Sequence, residues 1–213
     1  MTQTLLILGA TSGIGALCVK NALSRGLQVR GFARSAEKMP AQDGLEAFAG
    51  DARKAEDVTR ALDGVDGVIY ALGVKERLSM LWEKESLFSE TTATLIDAMR
   101  VAGVARLVAV TGFGAGRSRS AMSSLEKAGH WAILGRPYAD KDRQEALIVD
   151  SGLDWTIARP VILTKGTSDK PVQVLRDPKD WRNGLVPRAG VARYLVDAVV
   201  DGLDVKGDVV LVR

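Results

Sequence analysis

The sequence predicts a doubly wound α/β fold, a parallel sheet with helices on both faces, from two observations. Continuous apolar runs such as Leu5-Leu6-Ile7-Leu8 and Leu107-Val108-Ala109-Val110 stop at Gly9 and at Thr111-Gly112, the pattern of strands dry on both sides. Between such runs the apolar residues recur at helical spacing, and a strand-helix alternation of this kind packs helices over a parallel sheet through right-handed crossovers. Sheets of this class bind ligands beyond the carboxyl ends of their strands, so the residues after each strand are the candidates for function.

In chain order, the first strand covers residues 5–8, and a helix over 14–23 follows with Gly26 as its stop. Strands are expected at 27–33, 45–49 and 65–72, with helices at 55–62 and 87–101. Next come a strand at 107–110, a helix at 142–150, a strand at 155–159, a helix at 191–200 and a last strand at 209–212. Two stretches interrupt the rhythm: 112–138, rich in Gly, Ser and Arg, and 164–186, with two prolines and several charges. Both exceed the usual connection and are expected as substrate-side loops or a small lobe. At 213 residues the chain is read as one domain, 1–213, carrying these two stretches as a small substrate-side region.

Hydrophobic residues make up 46% and charged residues 26%, ordinary soluble usage that excludes disorder. No apolar run approaches the roughly 18 residues of a membrane span, and with no basic leader before Thr4 the expected setting is cytoplasmic. The net charge of +3 comes from basic residues dispersed among 26 acids, which favours anionic small molecules over nucleic acid as partners. Arg117 and Arg119 make the densest basic spot and read as a solvated loop. Cys18, among Ala16, Leu17 and Val19, reads as a small core hydrophobe, and nothing pairs it with His130, so no disulfide, metal site or thiol chemistry is expected. The expected partner is a small-molecule substrate, without membrane or nucleic acid, in a monomer or homodimer.

The turn Gly9-Ala10-Thr11-Ser12-Gly13-Ile14-Gly15 carries the first functional reading. Gly9 lets the chain leave the strand sharply, Gly13 lets backbone approach a diphosphate, and Gly15 lets the helix pack close, while N–H groups at the helix start face the anion. Thr11 and Ser12 add hydroxyl donors. An NAD site normally has an acid about 20 residues further on, bonded to the ribose 2′-hydroxyl. Here Phe32-Ala33-Arg34-Ser35 occupies that place, and Arg34, helped by Ser35, suits a 2′-phosphate, so NADP is preferred to NAD as cofactor.

These features, together with Gly50-Asp51, Ala71-Leu72-Gly73, the 98–112 pattern and Ser151-Gly152-Leu153-Asp154-Trp155-Thr156-Ile157-Ala158-Arg159-Pro160, resemble the atypical short-chain dehydrogenase/reductases, in particular the NmrA-like and biliverdin reductase B (flavin reductase)-like members. The resemblance covers most of the chain. It implies a Rossmann fold in which Asp51 and Ala52 sit against adenine, Ala71, Leu72 and Gly73 run beside the ribose and diphosphate, and Pro160-Val161 approach the nicotinamide. From the residues alone, Asp51 reads equally as a turn or helix-capping acid, and Arg159-Pro160 as the end of a strand.

The same resemblance puts Thr111 at the hydroxyl position that orients a carbonyl, and Lys141 at the lysine that holds the ribose and lowers a hydroxyl's pKa. Tyr138 is the candidate acid, but it precedes Lys141 by three residues rather than four, and Pro137 reads as a helix start. Tyr138 therefore stands equally as a catalytic or a structural tyrosine. Asp140, Asp142 and Glu145 read as the charged outer face of that helix, and Trp131 and Trp181 either line a substrate mouth or pack in a core or hinge. Gly190 stands where the family commonly has an acid.

The activity implied is an NADP-dependent reductase passing hydride to a flat or carbonyl acceptor such as a flavin or quinone. The alternatives are a non-catalytic NADP-binding redox sensor and a sugar-nucleotide epimerase or dehydratase; the short stretch after Arg159 counts against the last.

Overall fold

The computed structural model describes residues 2–73, 86–166 and 171–213, apart from the side chains of 125, 126 and 128–136. Its strands and helices alternate as β1 (Thr4–Leu8), α1 (Gly13–Ser24), β2 (Gln28–Ala33), β3 (Leu45–Ala49), α2 (Ala55–Ala61), β4 (Gly67–Tyr70), α3 (Leu87–Ala102) and β5 (Arg106–Val110). The remainder is α4 (Ser124–Val149), β6 (Asp154–Pro160), β7 (Ile162–Thr164), β8 (Gln173–Leu175), β9 (Leu185–Pro187), α5 (Arg188–Asp201) and β10 (Gly207–Val212).

The main sheet has the order β3-β2-β1-β4-β5-β6-β10-β8, parallel except for the antiparallel edge strand β8. This is the doubly wound Rossmann-like α/β fold that the sequence predicts. Strand order reverses between β1 and β4, which opens a crevice above their carboxyl ends. Alternation along β1 shows how both faces stay dry: Leu5 and Ile7 enter one apolar layer with α1 and α5, while Leu6 and Leu8 enter the other with α2 and α3. Each such leucine, at most 1% exposed, contributes about 2 kcal/mol by leaving water. Cys18 is buried in the first layer, as its neighbours predicted.

Both long stretches hold more regular structure than their composition predicted. A short 3-10 turn spans Gly116–Ala121, and α4 already begins at Ser124, well ahead of the expected 142. Pro137 lies inside α4 rather than at its start. A proline there removes one backbone bond from a long helix, and Gly129, Gly135 and Pro137 depress the local propensity enough to disguise the helix. In the second stretch β8 extends the main sheet, and β9 pairs in parallel with β7 as a separate small ribbon. At the start of α5, a side chain on Gly190 would collide with Val172, so the space of the family's acid is filled from the neighbouring edge segment.

Candidate active and cofactor site

The glycine turn sits at the crevice between β1 and β4. Gly9 adopts φ +83°, and a Cβ there would stand 2.5 Å from the Ala71 carbonyl oxygen after β4. Gly15 is buried, and a Cβ on it would run into the Gly9 carbonyl, so this glycine lets α1 close over the turn. Gly13 differs: at φ +59° it faces open space with nothing within 4 Å of its missing side chain. Ser12 is the N-cap of α1 without a side-chain capping bond, and no acid lies in the first turn. The first N–H groups of a helix lack carbonyl partners and carry positive partial charge. The exposed Ser12-Gly13 edge is thus a bare cradle for an anion, and a dinucleotide's diphosphate fits it.

The next positions lie along the same rim. Arg34, just past β2, is exposed and makes no ion pair or hydrogen bond among the described residues, and Ser35 beside it caps the 3-10 turn Ala36–Lys38 without a side-chain bond. Beyond β3, Asp51 turns inward on its own loop: its Oδ1 accepts from the Arg53 N–H at 3.0 Å, while its N–H donates to Asp57 at 3.0 Å. That backbone bond and Arg60 hold the Asp57 carboxyl below its usual range. Ala52 is buried, and Ala71, Leu72 and Gly73 grow more exposed as the chain leaves β4. At the end of β6, the Pro160 carbonyl accepts from the Phe113 N–H at 3.0 Å and the Val161 N–H donates to Leu211 at 3.2 Å. These two residues therefore present mainly a wall, with most of their polar backbone already engaged.

Thr111, Tyr138 and Lys141 converge at the end of β5. Lys141 Nζ donates to the Thr111 carbonyl at 2.7 Å and lies 4.5 Å from the centroid of the Phe88 ring and 5.9 Å from that of Tyr138. Removal from water lowers the Lys141 ammonium to about 8, against the opposing fields of Glu145 and Asp140. The Tyr138 hydroxyl packs on Gly112, where a Cβ would be 2.6 Å away. Burial, then the charge of Glu145, pushes the Tyr138 phenol up to about 12. Since α4 runs unbroken through both residues, their three-residue spacing brings them to one place, and Pro137 does not separate them.

The acidic residues of α4 correct the sequence expectation. Asp140 is fully buried and caps another helix, accepting from the Phe88 N–H at 2.8 Å and the Ser89 hydroxyl at 2.5 Å at the start of α3, whose own N-cap Ser86 makes no side-chain capping bond. Glu145 is also buried. Its Oε1 accepts from Thr111 Oγ1 at 2.7 Å and from Arg159 Nε at 2.9 Å, and its Oε2 accepts from Arg159 Nη2 at 2.7 Å. Arg159 continues to Asp208 on β10, which also pairs with Arg117. Burial alone would raise the Asp208 carboxyl, but Arg117 and Arg159 hold it below the usual range.

Arg117 and Arg119 accordingly do more than line a solvated loop, since Arg119 pairs with Asp142, whose Oδ1 also accepts from the Gly116 N–H at 2.7 Å. Trp181 is core rather than mouth, 5% exposed, with Arg117 and Arg159 over its ring. The Trp131 side chain lies outside the described residues. Sequence reasoning missed Glu145, Arg159 and Asp208 as a unit, though a signal was present: Arg159 and Asp208 sit inside otherwise dry strands, and a charge there demands a buried counter-ion.

Comparison with known proteins bears on the fold and the class of cofactor. A family model described as NAD(P)H-binding matches residues 9–202. The sterol demethylase protein B of Methylococcus capsulatus is 32% identical over 85% of this chain and 58% of its own length. An NAD(P)H azoreductase of Xenophilus azovorans is 30% identical over 73% of this chain and 47% of its own length. The chain thus spans about half the length of these curated relatives. Among solved structures, ChuY, an anaerobilin reductase from Escherichia coli O157:H7, superposes with a TM-score of 0.80 at 26% identity over 99% of this chain and 97% of its own. From the glycine turn to α5, the chain belongs to the NAD(P)H-binding family, with a Rossmann-like fold, and its likeness to the atypical short-chain and biliverdin reductase-like proteins fits that membership.

Proposed function

We propose that the chain is an NADPH-dependent reductase acting on a flat or carbonyl small molecule such as a flavin or quinone, in a cytoplasmic setting. The observation that carries this reading is the convergence of Lys141, Tyr138 and Thr111 at the carboxyl end of β5, on the same edge of the sheet as the bare α1 N-terminus. The cofactor, when bound, supplies hydride from its nicotinamide. Gly13 and the α1 N–H groups would take the diphosphate, Arg34 and Ser35 the 2′-phosphate, and Pro160-Val161 would form a wall beside the nicotinamide. Asp51 and Ala52 would flank adenine, with Ala71, Leu72 and Gly73 along the ribose. Lys141, still mostly protonated at pH 7, would hold the nicotinamide-side ribose, and the Tyr138 phenol stays protonated to donate a hydrogen bond. The named reductases among the relatives support the reaction class.

The test is NADPH oxidation measured across flavins, quinones and aldehydes. Turnover with at least one acceptor is expected, and tight NADPH binding without any turnover would overturn the reading. A second reading, a cofactor-binding redox sensor, draws on two observations: the Thr111 hydroxyl is committed to Glu145, and the Tyr138 phenol is pushed up, away from an activated acid. That same absence of turnover would favour the sensor.

A further inference from the structure

The buried chain of charges behind Thr111 has a consequence for the reaction itself. Thr111 Oγ1 has one proton, and that proton is donated to Glu145 at 2.7 Å. A hydroxyl whose proton points into α4 offers only lone pairs elsewhere. Glu145 cannot swing away from this duty, because Arg159 grips both of its oxygens and is itself fixed by Asp208 on β10. Gly116, at φ +51°, leaves the space that the Glu145 carboxylate fills, so the loop after β5 is shaped around it. One helical turn back along α4, Lys141 reaches the carbonyl of the same Thr111. Thr111 is therefore held twice by α4, through its hydroxyl by Glu145 and through its carbonyl by Lys141.

We infer that Glu145 is a positioning residue of the reductase site: it accepts the hydrogen bond that the Thr111 hydroxyl donates, leaves that hydroxyl only its lone pairs for other partners, and keeps Thr111 and Lys141 in register. This rests on the reductase reading for its kinetic consequence, though not for its geometry. Thr111 then selects a cofactor or acceptor group bearing N–H or O–H, and does not donate to a carbonyl. Glu145 also contributes charge to its neighbours. The groups facing Lys141 among the described residues are Asp140 and Glu145 on α4, the Tyr138 and Phe88 rings and the Thr111 carbonyl, with Arg159, Asp208 and Arg117 behind Glu145. Removing the Glu145 charge takes away one of the two acids that keep the lysine protonated, so the lysine titrates at lower pH.

The experiment has two arms, using Glu145→Gln, which keeps an oxygen for Thr111, and Glu145→Ala, which does not. In the first, NMR follows the Thr111 hydroxyl proton and the lysine titration in the whole protein. An exchange-protected hydroxyl is expected in the parent and in Glu145→Gln but not in Glu145→Ala, with Lys141, assigned through Lys141→Arg, titrating lower in both variants. A Thr111 hydroxyl that exchanges as fast in the parent as in Glu145→Ala would overturn the inference.

In the second arm, kcat with the best acceptor is expected to fall at least about tenfold in Glu145→Ala. The KM for NADPH should hold within about twofold, Glu145→Gln should restore part of the loss, and adding Thr111→Val to Glu145→Ala should cost little more. Fully additive losses would show that Glu145 does not act through Thr111. If the parent turns over no acceptor, the reductase reading fails while the first arm still decides the role of Glu145.

Discussion

The α1 end of the site leaves its polar groups facing outward, whereas the ends of β5, β6 and β10 close theirs on one another. At Gly13 and Arg34 the structure offers an exposed helix N-terminus and, among the described residues, a guanidinium with no ion pair, both open to what approaches from outside. At Glu145, Arg159 and Asp208 every charge is buried against another, shaped by what must not move. A dinucleotide is long enough to need both: one end recognised by generic anion chemistry, the other held against residues whose orientation is fixed in advance. On the proposed reading, affinity and reactivity would be carried by separate parts of one sheet edge, and substitutions should separate them.

The largest effect should come from the closed end. Arg159→Ala leaves Glu145 without its cation and Asp208 with Arg117 alone, and a loss of about 3–5 kcal/mol is expected in urea unfolding. A loss under about 1 kcal/mol would mean the cluster is far wetter than its burial indicates. Within the open end, the two glycines of the turn should respond differently. Gly9→Ala forces a Cβ onto the Ala71 carbonyl at positive φ and should cost about 2–3 kcal/mol of stability. Gly13→Ala meets no atom, so it should cost only about 1 kcal/mol in stability while weakening NADPH binding more than tenfold. Equal unfolding midpoints for the two variants would break that distinction.

Arg34→Ala should leave the unfolding midpoint almost unchanged, because the exposed side chain has no partner among the described residues, and should weaken NADPH roughly tenfold, about 1.4 kcal/mol, with little change for NADH. Equal weakening of both cofactors would remove the 2′-phosphate assignment. The last test is the pH dependence of Lys141. Its folded pKa of about 8 lies below the ordinary 10.5, so the folded state binds fewer protons between these values. Its contribution to stability is full above pH 10.5 and is lost as pH falls through 8, while NADPH affinity should weaken as pH rises through 8. Lys141→Met, compared with the parent across this range, should flatten both trends; parallel curves would place the titration elsewhere.

Most of the fold was legible because it depends on short-range pattern. A dry strand, a tight glycine turn and an apolar helix face announce themselves within a few residues, as Leu5 to Leu23 do, and the strand ends then place the candidate residues on one edge. The readings that failed depend on distant partners. Asp140, Asp142 and Glu145 look like a solvated face when only α4 is considered, yet Asp140 serves the start of α3, and Glu145 meets Arg159 and, through it, Asp208 far along the chain. The start of α4 was hidden by glycines and Pro137, residues that weaken helices locally while packing can still hold them. Arg117 and Trp181 were likewise separated in sequence and joined only by the β8–β9 connection folding back.

Trp181 gives this hidden cluster a voice in light. Its ring lies 5.1 Å from the Arg117 guanidinium carbon and 5.2 Å from that of Arg159, and its indole N–H donates to the Leu175 carbonyl at 3.0 Å. An indole with two guanidinium groups over its ring has an emission and a near-ultraviolet dichroism that respond to those charges. Any rearrangement of Arg159 or Arg117, whether from a ligand, a proton or a substitution, would change the colour and intensity of that chromophore, so Trp181, once separated from the other three tryptophans by substituting them, reports on the part of the fold that sequence alone conceals.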